Sequence, residues 1–127
     1  MGLADLRLMY RSWLHGSDFP RQYIRYGMPQ LIGDLEKDAA QLTATSPVEQ
    51  AARLRQPLLL AHGSADRRVP RAHGVRFRDA VAATNKQVEW VEYEDEGHGW
   101  TLPKNRFDFW TRVEKFLDRQ IGPGSVK

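Results

Sequence analysis

The 127-residue sequence predicts an α/β fold built on a pair of parallel strands, and three observations carry that expectation. Leu58, Leu59, Leu60 and Ala61 make a short continuous apolar run, entered from Pro57 and left through His62, Gly63 and Ser64. Such a run fits a strand covered on both faces of a parallel sheet better than an alternating surface strand. Val88 to Tyr93 is the second strand, its interleaved glutamates placing it nearer a sheet edge. Between the two, His73, Phe77, Ala80 and Val81 share one face of a helix from about Arg71 to Ala83. Strand, helix and parallel strand in that order require a right-handed crossover.

The other elements are taken in chain order. Leu3, Leu6, Leu8, Met9, Trp13 and Leu14, with Asp5 near the front, fit a first short helix that Gly16 ends. From Phe19 to Gly33 the text is aromatic and broken by prolines, a loop with a helical turn or two, where Tyr23, Tyr26 and Met28 either cover a pocket or pack onto the core. Asp34 is placed to cap a helix running to about Leu42, and Ser46-Pro47 to start another that reaches about Leu54. Thr84, Asn85 and Lys86 turn the chain out of the crossover helix. Asn105 is expected to cap the last helix, on which Phe109, Trp110, Val113, Phe116, Leu117 and Ile121 form an apolar stripe before Gly122-Pro123 stops it.

Composition narrows the class. At 127 residues the chain is the size of one domain able to bury roughly two-thirds of its unfolded surface. The net charge of +3 comes from basic residues scattered among acids, as in DLEKD and RVEKFLDR, so no nucleic-acid partner is expected. With no cysteine there is no disulfide framework, thiol nucleophile or cysteine metal site. No apolar run approaches the roughly 20 residues of a membrane helix, and the amino terminus lacks a signal-peptide core, so the expectation is a soluble, cytoplasmic chain without a membrane partner.

The chemistry gathers at the two strand ends. Asp66 lies just beyond the first strand, and His98 sits between two glycines in EDEGHGW, beyond the second. In open α/β sheets that end is where sites are built. A carboxylate and an imidazole on adjacent strand ends can form the orienting half of a hydrolytic triad, the acid holding the ring tautomer and the ring taking a proton from a nucleophile. Glycines on both sides of His98 would let its loop take tight backbone angles. A loop Asp can equally just cap the helix after it, as Asp66 could before Pro70. His62, Asp66 and His98 could instead converge on a metal, although no compact ligand spacing such as H-E-x-x-H occurs. His15 and His73 read as surface or packing residues. Arg67, Arg68 and Arg71 could meet a carboxylate or phosphate, or simply be a solvated turn. Glu94, Asp95 and Glu96 would favour a protonated His98.

HGSADRRVP, succeeded by a helix, a strand and EGHGW, resembles the carboxyl-terminal part of the catalytic domain in the prolyl oligopeptidase and acylaminoacyl peptidase family of serine peptidases. The likeness continues through RYGMPQLIGD, SPVEQAARLRQPLLLAHG and the FW-rich closing helix. It implies the carboxyl-terminal portion of an α/β-hydrolase fold over residues 1–127, a single partial domain with strands at about 57–62 and 88–93. It implies Asp66 as triad acid, His98 as triad base and, as a lesser carry-over, Arg68 near the substrate. The substrate implied is a peptide or other acyl or ester compound, with no cofactor and no metal.

One departure weighs against an intact site. The family's nucleophile sits on a G-x-S-x-G elbow upstream of the acid, and no such pentapeptide occurs here. Ser17 comes after a glycine but lacks the second, and Ser64 is two residues before Asp66 on the same turn; the other serines are Ser12, Ser46 and Ser125. The expectation is a fragment holding the acid and the base, inactive alone. The first strand should then have a bare outer edge, and a symmetric dimer joining two such edges is the simplest way to cover it. The alternative from another class is a non-catalytic α/β module or orphan fragment.

Overall fold

The computed structural model describes residues 2–16 and 18–123. Its elements are α1 (Leu6–His15), a π-helical turn (Tyr23–Gly27) running into α2 (Met28–Ile32), α3 (Ala39–Ala44), a 3-10 segment (Pro47–Arg53), β1 (Leu58–Gly63), α4 (Arg71–Ala82), β2 (Val88–Tyr93) and α5 (Pro103–Ile121). β1 and β2 pair in parallel, from Leu58 opposite Val88 to Gly63 opposite Tyr93, with α4 as the crossover. α4 packs on both strands and on the 3-10 segment, with His73, Gly74 and Val81 buried beneath it.

The amino-terminal helices make their own core. The Asp5 carboxylate caps α1 by accepting from Leu8 N at 2.8 Å. The helix then buries Met9, Tyr10 and Trp13 against Ile24, Met28 and Leu42. Met28 joins this core, whereas Tyr23 and Tyr26 are exposed.

Three helix starts differ from expectation, two of them because the capping side chain is engaged elsewhere. Asp34 does cap, its Oδ1 accepting from Glu36 and Lys37 N, but the turn it caps, closed by Asp38 N on Asp34 O at 3.0 Å, precedes α3, which begins at Ala39. The Ser46 hydroxyl accepts from Leu6 N and donates to Leu42 O, joining α1 to α3 instead of capping, and the segment from Pro47 winds as a 3-10 helix. α5 starts at Pro103, which suits a first helical position, and Asn105 donates from its side chain to Glu96.

Cover on the sheet is thinner than the apolar run implied. Leu58 and Leu59 are only half-buried, and α5 has no buried residue. The expected stripe on α5 divides in two: Phe109, Val113 and Phe116 turn inward, while Trp110 (63% exposed), Leu117 and Ile121 (76% exposed) face outward. The Tyr93 hydroxyl donates to Asp108 at 2.8 Å and Arg119 pairs with Glu89, tying α5 to β2. No strand lies beyond β1 among the described residues. None of the described helices is long and apolar enough to cross a membrane.

Candidate active site

Parallel register brings the two strand ends out of the sheet level with one another, and three hydrogen bonds join the loops beyond them. Ser64 N donates to Tyr93 O at 3.0 Å, which extends the ladder by one residue. The Ser64 hydroxyl donates to Glu94 O, and Ala65 N donates to Glu96 O at 3.0 Å. The loops are in contact because residue 63 has no side chain. A Cβ there would lie 2.3 Å from Glu96 O and 2.4 Å from Gly97 O, closer than backbone atoms tolerate.

Asp66 and His98 meet across this seam. His98 Nδ1 lies 2.8 Å from Asp66 Oδ2, with the acid side chain 2% exposed and the ring 41% exposed. The second carboxylate oxygen accepts from Arg68 N at 2.9 Å and Val69 N at 2.8 Å. Burial alone would raise the Asp66 pKa, but the Val69 N–H, the His98 ring and the Arg68 N–H outweigh it and hold the carboxyl below its usual range. With Nδ1 turned to the carboxylate, Nε2 points to the opposite side of the ring. The ring also lines a cavity of about 480 Å³, together with Leu59, Ala61, Gly63, Asp66, Trp100 and Phe109 among others. Only one of the glycines beside His98 needs its freedom: Gly99 has φ +148°, a conformation that side-chain-bearing residues rarely adopt.

Glu96 anchors the histidine loop, a role its place in the acidic run did not foretell. Fully buried, its carboxylate accepts from Thr101 N, Thr101 Oγ1, Leu102 N and Asn105 Nδ2 at 2.7 to 2.9 Å. Burial opposes its charge, yet these four donors win and bring its pKa down to about 2.

The remaining candidates are dispersed. Arg68 reaches the site through its backbone, and its guanidinium is 3.7 Å from Asp18. Arg67 also faces Asp18, and Arg71 forks onto Glu92 with bonds of 2.5 and 2.9 Å, so the arginine cluster is paired within the chain. His62 is buried with Nε2 3.0 Å from Val69 O. No group of three or more His, Cys, Asp or Glu among the described residues is arranged around a metal position. His15 is exposed and His73 buried. The Ser12, Ser46 and Ser64 hydroxyls donate to the carbonyls of Leu8, Leu42 and Glu94, and Ser17 and Ser125 lie outside the described residues.

Comparison with known proteins gives the family and the fold. Residues 2–124 match the prolyl oligopeptidase family. The chain belongs to that family. It is 37% identical over 93 residues to dipeptidyl aminopeptidase BIII of Pseudoxanthomonas mexicana, covering 72% of this chain and 14% of the relative. It is 32% identical over 118 residues to a putative carboxymethylenebutenolidase of Methylorubrum extorquens, covering 87% and 39%. Among solved structures, acylaminoacyl peptidase of Pyrococcus horikoshii superposes with a TM-score of 0.74 at 23% identity, over 95% of this chain and 19% of that one. Puromycin hydrolase superposes with a TM-score of 0.65 at 30% identity, over 89% and 17%. The family fold is the α/β-hydrolase fold, here present in part, and the chain spans well under half the length of these relatives.

Proposed function

We propose that this chain supplies the acid and base of a serine-peptidase triad, with Asp66 orienting His98 and the nucleophilic serine contributed from outside residues 1–127. The observation that carries the reading is the 2.8 Å contact between a buried Asp66 Oδ2 and His98 Nδ1, on a ring that is 41% exposed beside a cavity. Asp66 fixes the proton on Nδ1, which leaves the Nε2 lone pair free to accept a serine proton and return it to the leaving amine. The buried carboxylate then steadies the imidazolium formed on the way. Peptide bonds are the proposed substrate, supported by a relative named as a dipeptidyl aminopeptidase. Acyl and ester bonds present the same carbonyl chemistry.

The test reads the tautomer directly. Nitrogen-15 spectra of the His98 ring at neutral pH are expected to show the proton on Nδ1, and Asp66→Asn to remove that preference. A ring protonated on Nε2 in the unaltered chain would sink the reading. A fluorophosphonate probe is expected to leave this chain unlabelled, and His98-dependent labelling of any of its serines would overturn the assignment of the nucleophile to another segment.

A further inference from the structure

The turn that holds Asp66 is itself held from outside, by a side chain on the first helix. The N–H of Val69, which donates to Asp66 Oδ1 at 2.8 Å, belongs to the same planar peptide unit as the carbonyl of Arg68. That carbonyl accepts from Trp13 Nε1 at 2.7 Å. A peptide unit carries its C=O and N–H in opposite directions on one rigid plane, so fixing one end aims the other. The line Trp13 Nε1, Arg68 O, Val69 N, Asp66 Oδ1 continues through the carboxylate to Oδ2 and His98 Nδ1. Each bond in such a chain polarises the next. The neighbouring peptide unit is held in the same way, His62 Nε2 lying 3.0 Å from Val69 O.

We propose that Trp13 is a positioning residue for the Asp66–His98 pair: through the Arg68–Val69 peptide plane its indole N–H aims the donor that fixes Asp66 Oδ1 and so points Oδ2 at His98. The proposal rests on the reading of Asp66 and His98 as acid and base. It gives the amino-terminal helices a part in the site beyond packing. Trp13 is buried in their core, its ring 4.5 Å from that of Phe19, and a buried indole N–H needs a partner. The partner it takes is the carbonyl of one of the two peptide units whose N–H groups hold the acid.

The experiment measures exchange of the His98 Nδ1-bound proton with water by NMR in the full chain. Three variants are compared. Trp13→Phe keeps an aromatic body and removes the donor. Benzothienylalanine at position 13 keeps nearly the whole indole shape without its N–H, and serves where Trp13→Phe fails to fold. Ile24→Val loosens the same core without touching the turn. Removing the donor is expected to speed exchange by roughly two- to tenfold, the equivalent of one hydrogen bond's net contribution. Ile24→Val should leave that exchange unchanged. Unchanged exchange in both donor-free variants, or equal acceleration by Ile24→Val, overturns the positioning role. Absence of the Nδ1 proton in the unaltered chain overturns instead the acid–base reading beneath it.

Discussion

Acidification should destabilise this chain well before its carboxylates are protonated, because two histidines beneath the acid-bearing turn are buried without a full set of partners. Among the described residues, His73 is 0% exposed with no hydrogen-bond partner for either ring nitrogen, and His62 is 0% exposed with none for Nδ1. Burial lowers the pKa of both. At His73 it outweighs the attraction of Asp5 and Asp66, with His62 and Arg76 acting in the same direction as burial. At His62 it outweighs Asp66, the Val69 carbonyl and Glu92. In the unfolded chain each ring titrates near 6.5, so below about pH 6.5 the unfolded state binds protons that the folded state refuses. Stability therefore falls as pH drops through this window. The slope is at most about 1.4 kcal/mol per pH unit for each ring and about 2.7 kcal/mol for the pair. Against a total of roughly 5 to 15 kcal/mol for a domain, one pH unit is a substantial loss. Asp66 and Glu96, whose pKa values are depressed, contribute stability that is lost only at lower pH, so the interval from pH 6.5 to 5 isolates the histidines. Urea unfolding monitored by tryptophan fluorescence at pH 7.5, 6.5, 5.5 and 5.0 measures the slope. His73→Leu should reduce it by about half, and at pH 7.5 should be neutral or stabilising, since an apolar side chain leaves no unsatisfied nitrogen. A stability constant from pH 7.5 to 5.0, or a slope unaltered by His73→Leu, would refute the reasoning.

Gly63→Ala sets a methyl against two loop carbonyls and is expected to cost about 1 to 3 kcal/mol in urea unfolding, with loss of the His98 Nδ1 proton signal; retention of both stability and signal would refute the close approach. Glu96→Gln turns an acceptor of four bonds into a side chain that must present an NH₂ to donors, so amide exchange at Thr101 and Leu102 should accelerate. Because Glu96 titrates at about 2 from an ordinary value of 4.5, its contribution is complete above about pH 4.5 and lost as pH falls towards 2, and the variant should lack that acid transition. On β1, Leu58 N donates to Gln87 O and Ser64 N to Tyr93 O, which turns the peptide groups of Leu59 and Ala61 to the outer edge. Self-association through that edge should give a concentration-dependent dimer in sedimentation, which Ala61→Pro abolishes by removing an outward N–H while leaving the β2 ladder intact. A monomer at high concentration, or a dimer indifferent to Ala61→Pro, rules it out.

Much of the fold was legible because strand, helix and strand each advertise themselves locally. Leu58 to Ala61, the face from His73 to Val81, and Val88 to Tyr93 required no knowledge of distant neighbours to place them in a parallel pair. Helix starts were less legible, because a capping side chain can be claimed by a residue remote in sequence. Ser46 is claimed by Leu6 N, 40 positions away, and Asn105 by Glu96. The outward half of the α5 stripe escaped for a related reason: periodicity shows that Trp110 and Ile121 share a face, and cannot show whether anything covers it.

Asp66 and His98 were likewise legible from their positions beyond two strand ends, whereas Gly63, Glu96 and Trp13 were not, since each acts on a segment more than a few residues from itself. That division explains how a two-stranded sheet can keep a precise contact between Asp66 and His98. The register of β1 against β2 brings the loops out together, Ser64 and Ala65 tie them, and the four bonds on Glu96 fix the far end of the histidine loop. None of these contacts draws on the outer edge of β1 or the outward face of α5. The geometry of the pair is therefore insulated from the two surfaces left least covered. Whatever docks on the edge of β1 meets the His98 cavity already shaped, since Leu59, Ala61 and Gly63 line that cavity and belong to the same edge.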